Sequence, residues 1–310
     1  MSRNYGLGTR DMAQAGRFAL AGACKRGELS FSSVDTIADR WSHFAAYAKS
    51  EGIGRMERIT PELVQSYGRA LAQQVQEQKL TPAYAQNMVS AVNTVLHQVR
   101  DWKSVSPTKA CGIPERSSVR QTAPIGVTRQ SEFSRALNAL REVGQERGAS
   151  VAELAREFGL RSKEASLLDA AKAAQQARLT GAIRIIEGTK GGMARTIPIT
   201  RPEQLSALSR AAAVQGEGRS LIPAEQNWRQ WREGDLRAVR ETLQTHGIAR
   251  LHDLRAAYAV DRYKQITGSD APVMGGKNAD RNSDREARQT ISAELGHNRI
   301  EVAAAYIGGR

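Results

Sequence analysis

The sequence predicts a mainly α-helical chain with one small β-hairpin, divided into two domains. Three observations carry this prediction. Apolar residues recur at helical spacing through most of the chain, with capped starts and glycine stops. One stretch, "AIRIIEGTKGGMARTIPIT", breaks that pattern with isoleucines on either side of a glycine-rich turn. Aromatic residues are 5% of the 310 residues while hydrophobic residues are 40%, so the core must be built from Ala, Leu, Val and Ile, which suits helices.

The elements follow in chain order. Residues 1–30 hold a short apolar patch interrupted by charges. They are expected to be an N-terminal extension, neither a secretion signal nor a membrane span. Residues 31–105 read as a small helical domain. "SVDTIADRWSHFAAYAKSEG" places Val34, Ile37, Trp41, Phe44, Ala45 and Ala48 on one face, with Gly52 after the last turn. "TPELVQSYGRALAQQVQ" opens with Thr60 as N-cap and Pro61 in the first turn, and Thr81–Pro82 repeats that opening. Residues 106–126 read as a linker, because Pro107, Pro114 and Pro124 lie among Ser, Thr and Gly and no period survives.

Residues 127–310 return to helices around the hairpin. "SVAELAREFGLRSKEASLL" has the look of a helix-turn-helix, with a turn at Gly159 and a second helix opening at Arg161 and Ser162. Further helices are expected at "PEQLSALSRAAAV", "DLRAVRETLQTHG" and "RLHDLRAAYAVDRYKQITG". The polar stretch 268–290 is expected to be a mobile surface loop that touches DNA or a partner subunit.

Charge narrows the function classes. Forty-five Lys and Arg against 32 Asp and Glu give a net charge of +13, scattered along the chain. Such an excess on a folded surface points to a polyanionic partner, of which nucleic acid is the common one. Cys24 and Cys111 lie far apart and no Cys/His cluster exists, so neither a zinc site nor a disulfide framework is expected. A reducing cytoplasm is the expected compartment.

Several residues carry chemistry only in combination. His252 and Arg255 lie three apart and share a helix face, as do Arg161 and Glu164. Lys190 sits in the hairpin turn, and His297 precedes Tyr306 by nine residues. Two arginines can grip the oxygens of a phosphodiester and stabilise the charge that grows on a pentavalent transition state. Tyrosine is a plausible nucleophile there, and a lysine can protonate the departing sugar oxygen. No cofactor or metal is required by such chemistry.

In content and chain order this set resembles the tyrosine recombinases, the integrases of phages and mobile elements. "FGLRSKEASLL" is similar to the box of the first arginine and "GTKGGMARTIPI" to the lysine hairpin. "LHDLRAAYA" and "ELGHNRIEVAAAYI" are similar to the two C-terminal boxes. The resemblance implies an α+β catalytic domain over 127–310, preceded by a helical core-binding domain, the two forming a C-shaped clamp on DNA. It implies that Arg161 and Arg255 clamp the scissile phosphate and that His297 adds a third hydrogen bond. Lys190 would be the general acid for the 5′ oxygen, and His252 would handle protons near the tyrosine. Glu164 would buttress the site, and Tyr306 would attack to form a 3′-phosphotyrosine. The implied partners are double-stranded DNA attachment sites and a homotetramer, with an excisionase or a host DNA-bending factor as accessory. The implied setting is the nucleoid of a bacterial cytoplasm, with no membrane association. Only "IGGR" follows Tyr306, where many relatives carry a further helix that docks on a neighbouring subunit.

Three other readings compete. A helix-turn-helix regulator explains the charge and the 150–168 stretch but not the lysine hairpin and the two histidine boxes. A degenerate recombinase that binds without cutting conflicts with seven intact positions. A type IB topoisomerase shares the chemistry, but the helical amino-terminal domain and the "LGH" box favour a recombinase.

Overall fold

Threonine-proline starts and left-handed glycine stops partition this chain into short helices. The computed structural model describes residues 3–128, 130–276 and 279–310, with only the backbone of Ser32, Gly126 and Thr128. Two compact units result, Met1–Ser117 and Ser118–Arg310, each around its own core.

Unit 1 contains α1 (Met12–Lys25), α2 (Phe31–Ser50), α3 (Pro61–Gln76) and α4 (Pro82–His97). Asp11, Thr60 and Thr81 each accept a backbone N–H in the first turn of the helix that follows, which satisfies one of its unpaired donors. Residues 12–25, expected to lie in an extension, form a helix of the core. Ala15, Leu20 and Ala23 are buried, and the buried Trp41 indole donates to Met12 O at 2.8 Å. Gly16 makes room for that indole: a Cβ there would lie 2.1 Å from Trp41 Nε1. Much of α1's interface is therefore built from Ala and Gly, which carry little weight in a periodicity reading.

The stretch after α4 is held to unit 1 by a buried asparagine. Asn93 Nδ2 donates to Val105 O at 2.9 Å, and its Oδ1 accepts from Trp102 Nε1 (2.9 Å) and Val105 N–H (3.0 Å). Cys111 and Ile113, within the expected linker, are buried in the same core. Gly68 leaves the slot that Cys111 fills.

Unit 2 begins with α5 (Ile125–Thr128), α6 (Gln130–Glu142), α7 (Glu146–Phe158), α8 (Ser162–Leu167) and α9 (Ala170–Thr180). The hairpin follows as β1 (Ala182–Ile185) and β2 (Arg195–Pro198), antiparallel, with Ile183 opposite Ile197 and Ile185 opposite Arg195. Then come α10 (Pro202–Gln215), α11 (Trp228–Glu233), α12 (Asp235–Thr245), α13 (Leu251–Thr267), α14 (Arg281–Glu294) and α15 (Ala304–Ile307). The predicted fold class, mainly helical with one small hairpin, is what forms. Every residue of α7 from Gly148 on is buried, so this helix is the central post of the unit. Gly148 admits Val239 of α12, whose Cγ2 would lie 2.1 Å from a Cβ at that position.

The stretch 268–290 departs from expectation. Its second half is the start of α14, capped by Asp280, which accepts from Asn282 and Ser283 N–H. Only Ala287 supplies an inward apolar contact there, so polar neighbours hide the helix in the sequence. Residues 277 and 278 of the expected loop lie outside the described residues. Among the described residues no helix is long and apolar enough to cross a membrane.

Because α1 packs through Gly16, Gly16→Ala must displace Trp41. The expected cost is about 1–3 kcal/mol, typical of overpacking. Hydrogen exchange of α1 and α2 in the full chain reads it, and unaltered protection would contradict the packing.

Candidate active site

The site starts where α7 stops. Gly159 ends that helix in the left-handed region at φ 61°. A side chain at Gly159 would be strained by that φ and would come within 2.6 Å of Tyr258 Cδ1 and 2.7 Å of Leu295 Cδ2. Two residues on, Arg161 is the N-cap of α8. Its backbone N–H donates to Glu164 Oε2 at 2.7 Å, and its Nη1 to Glu164 Oε1 at 2.6 Å. The turn that resembles a helix-turn-helix thus folds Arg161 onto the carboxylate one helical turn ahead.

Glu164 is fully buried. Arg195 approaches it in a fork, Nη1 to Oε1 at 2.9 Å and Nη2 to Oε2 at 2.7 Å. Arg255 Nη1 lies 3.8 Å from Oε2. Burial alone would raise the Glu164 carboxyl. The hydrogen bonds and charge of Arg195, then those of Arg161, outweigh it and hold the group down at about 2. Arg195 is the residue that sequence reasoning missed. Its signal is the alternation of β2, where Arg195 and Ile197 are buried and Thr196 faces out. An arginine on the inward face of a strand needs a buried anion. Its Nε also donates to Glu294 O at 2.7 Å, which fastens the hairpin to α14.

Arg255 lies one turn beyond His252 on α13 and is 1% exposed. Its Nη1 donates to Gly159 O, its Nη2 to Leu295 O, and its Nε to the Tyr306 hydroxyl at 3.3 Å. Burial lowers its guanidinium to about 10, with the tyrosine beside it pulling the other way. His297 follows Gly296, which is left-handed at φ 69°. Its Nε2 shares a hydrogen bond with the Tyr306 hydroxyl at 3.0 Å and lies 3.4 Å from Arg255 Nη2. Tyr306 itself is 3% exposed, and its ring centre lies 5.2 Å from that of His252.

Both imidazoles are pushed down to about 4, first by burial and then by the Arg255 charge. Arg161, Arg195 and Lys190 act further on His297, while Asp253 pulls His252 the other way. His252 is exposed at the surface, whereas His297 is half-buried. At neutral pH both rings are uncharged.

The structure therefore gathers Arg161, Glu164, Arg255, His297 and Tyr306, with His252 alongside. Lys190 stands apart. It is exposed on the turn between β1 and β2, followed by Gly191 and Gly192, both at positive φ, and its side chain makes no hydrogen bond or ion pair among the described residues. Chemically, the arrangement is a hydroxyl held beside a buried cation and two neutral imidazoles. Arginine charge exceeds that of the one buried carboxylate among them. Such a pocket suits an anion whose charge grows during reaction.

The sequence model of the Integrase family matches residues 116–261. Among solved structures, a fragment of lambda integrase, in a dimer bound to a COC′ core site, superposes with a TM-score of 0.60 at 17% identity. It covers 94% of this chain and 93% of that one. The Tn1549 transposon integrase in complex with transposon right end DNA gives 0.57 at 12% identity, covering 95% of each chain. XerH recombinase bound to difH in a post-cleavage complex gives 0.56 at 13%, covering 96% of this chain and 81% of that one. At these identities the likeness establishes the fold. No curated protein matches in sequence. Fold and family model both resemble those of the tyrosine recombinases. The family model spans residues 116–261, somewhat less than half of the chain.

Depressed histidines make stability fall in mild acid. Their unfolded forms bind protons near the ordinary 6.5, their folded forms only near about 4, so protons favour unfolding across that window. Urea midpoints are expected to drop as pH falls from about 6.5 to about 4, less so in His297→Gln. Glu164 acts lower, its contribution being lost from about 4.5 down to about 2. A midpoint that stays flat between about 6.5 and about 4.5 would contradict the neutral, crowded imidazole.

Proposed function

We propose that this chain is an integrase of the tyrosine recombinase class that cuts and reseals DNA through Tyr306, with the residues around it in the following roles. Arg161 and Arg255 grip the non-bridging oxygens of the scissile phosphate, and His297 adds a third hydrogen bond. The Tyr306 oxygen attacks phosphorus. A phosphorus–tyrosine bond forms, the bond to the 5′ oxygen breaks, and a 3′-phosphotyrosine results. The tyrosine proton passes toward His252, whose ring is neutral and so can take one up. Lys190 protonates the leaving 5′ oxygen. Reversal by a different 5′ hydroxyl reseals the strand, and the ester energy is kept throughout. Glu164 takes no part in bond making; it holds the arginines.

The observation that carries this reading is the Tyr306 hydroxyl, bound to both Arg255 Nε at 3.3 Å and His297 Nε2 at 3.0 Å. Those two groups would also meet the phosphate, so the nucleophile already stands at the anion site. The basic charge of +13 supports a nucleic-acid substrate. The solved relatives support double-stranded DNA as partner, since the lambda, XerH and Tn1549 proteins are all DNA-bound. A tetramer on paired sites is supported by lambda integrase, which forms a tetramer on a Holliday junction (TM-score 0.59, 15% identity). Integration or excision of a mobile element is the proposed setting, in a bacterial or phage-infected cytoplasm, with an excisionase or host DNA-bending factor as accessory. A helix-turn-helix reader gains no support. Glu164, Ala165 and Ser166 of α8 are buried, and Arg161 is engaged with Glu164.

A trapping experiment tests the reading. Duplexes enriched from a random-sequence pool by the full chain are nicked at successive positions, so that cleavage beside the nick releases a short fragment and cannot reverse. A covalent protein–DNA adduct is expected on a denaturing gel. It should vanish in Tyr306→Phe while binding persists. Arg161→Ala should slow it by ~10²–10³-fold, the order for one lost oxyanion donor. An adduct formed by Tyr306→Phe would remove Tyr306 from the role.

A further inference from the structure

Tyr306 sits on a helix of four residues. A helix that short does not hold itself in place, so whatever grips its ends sets the position of the hydroxyl. At the leading end, Ala304 O accepts the backbone N–H of Arg120 at 2.9 Å. At the trailing end, Gly308 O accepts from Arg288 Nη1 at 3.1 Å, and Arg288 Nε is held by both oxygens of Asp284 at 3.0 Å. Arg288 belongs to α14, the helix that leads into His297. Arg120 belongs to no helix or strand; it is the third residue of unit 2.

The side chain of Arg120 reaches in another direction. Its Nη2 donates to Asp253 Oδ1 at 2.9 Å, and its Nε to Thr122 O at 2.7 Å. The ion pair is sheltered, its side chains 14% and 12% exposed. Asp253 lies in the first turn of α13, between His252 and Arg255. One residue thus ties the helix of Tyr306 to the helix of Arg255, by its backbone on one side and its guanidinium on the other. Its neighbour strengthens the tie: a Cβ on Gly309 would stand 3.3 Å from Val119 Cγ1.

We infer that Arg120 is a positioning residue for Tyr306: the 118–122 segment clamps α15 against the head of α13 and so fixes the hydroxyl relative to Arg255 and His297. The inference rests on the reading of Tyr306 as the nucleophile. Arg120 touches none of the proposed reacting atoms, and its guanidinium is already committed to Asp253 and Thr122. Its loss would free the side-chain half of the clamp and leave the sheltered Asp253 carboxylate without its partner. The attacking oxygen would then lose its register, and small misplacements of a reacting group are costly.

The test uses the full chain and the nicked duplex that gives the strongest adduct. Adduct formation is timed in single turnover at saturating duplex, and affinity is measured separately. Arg120→Ala is expected to slow adduct formation by ~10²-fold with the dissociation constant unchanged. Arg120→Lys should recover most of the rate. Asp253→Asn, which preserves shape, should slow the same step, and the double variant should be no slower than the worse single one, as expected of partners in one contact. An unchanged rate in both Arg120→Ala and Asp253→Asn would overturn the inference. So would a loss of affinity that accounts for the slower rate, which would make Arg120 a DNA contact. If Arg120→Ala unfolds early, Asp253→Asn and Arg120→Lys decide the matter at a temperature where all are folded. Wild-type protein and Tyr306→Phe run alongside. An adduct that survives in Tyr306→Phe overturns the nucleophile itself, whereas an adduct that needs Tyr306 but ignores Arg120 overturns only the clamp.

Discussion

One buried carboxylate organises the catalytic unit. Glu164 accepts the fork of Arg195, the side chain and backbone of Arg161, and lies near Arg255. Three cations in one interior pocket would repel each other and resist leaving water. With the anion among them, the arginines can be buried without being neutralised. Arginine suits this use because it stays charged and its planar fork matches a carboxylate. The carboxylate also decides which parts of the chain meet. Arg161 comes from the turn after α7, Arg195 from the hairpin and Arg255 from α13. Glu164 is thus a junction of topology as much as of charge.

From that junction the electrical character of the site follows. Burial, and then positive charge that Glu164 does not fully balance, makes protons unwelcome, so both histidines stay neutral. Neutral imidazoles can exchange hydrogen bonds with a hydroxyl without adding further repulsion. The Tyr306 oxygen then has a guanidinium N–H on one side and an imidazole on the other. Glycines supply the close fits: Gly159 lets α7 end against Tyr258 and Leu295, and Gly296 passes beside the Arg195 side chain.

Much of this was legible in the residues, and the remainder was hidden for identifiable reasons. Thr60–Pro61 and Thr81–Pro82 mark the starts of α3 and α4, and the isoleucines around the glycine turn mark β1 and β2. These signals are local, because caps and periodicity act over a few residues. The chain order of Arg161, Lys190, His252, Arg255, His297 and Tyr306 pointed to the family through resemblance, not through geometry. What stayed hidden is long-range. Arg195 meets Glu164 across 31 positions, and Arg120 meets Asp253 across 133. No period in the sequence reports such pairs. Helix α1 was obscured because Ala and Gly make its contacts, and α14 because polar residues surround its few apolar ones.

The guanidinium of Arg255 is held by Gly159 O, Leu295 O and the Tyr306 hydroxyl, partners 96, 40 and 51 residues away in sequence. Each comes from a different part of the unit: the end of α7, the end of α14 and the last helix. If any one of these segments frays, the arginine loses a support and the hydroxyl loses its neighbour. The placing of the hydroxyl beside its cation is thereby made contingent on the integrity of the whole unit.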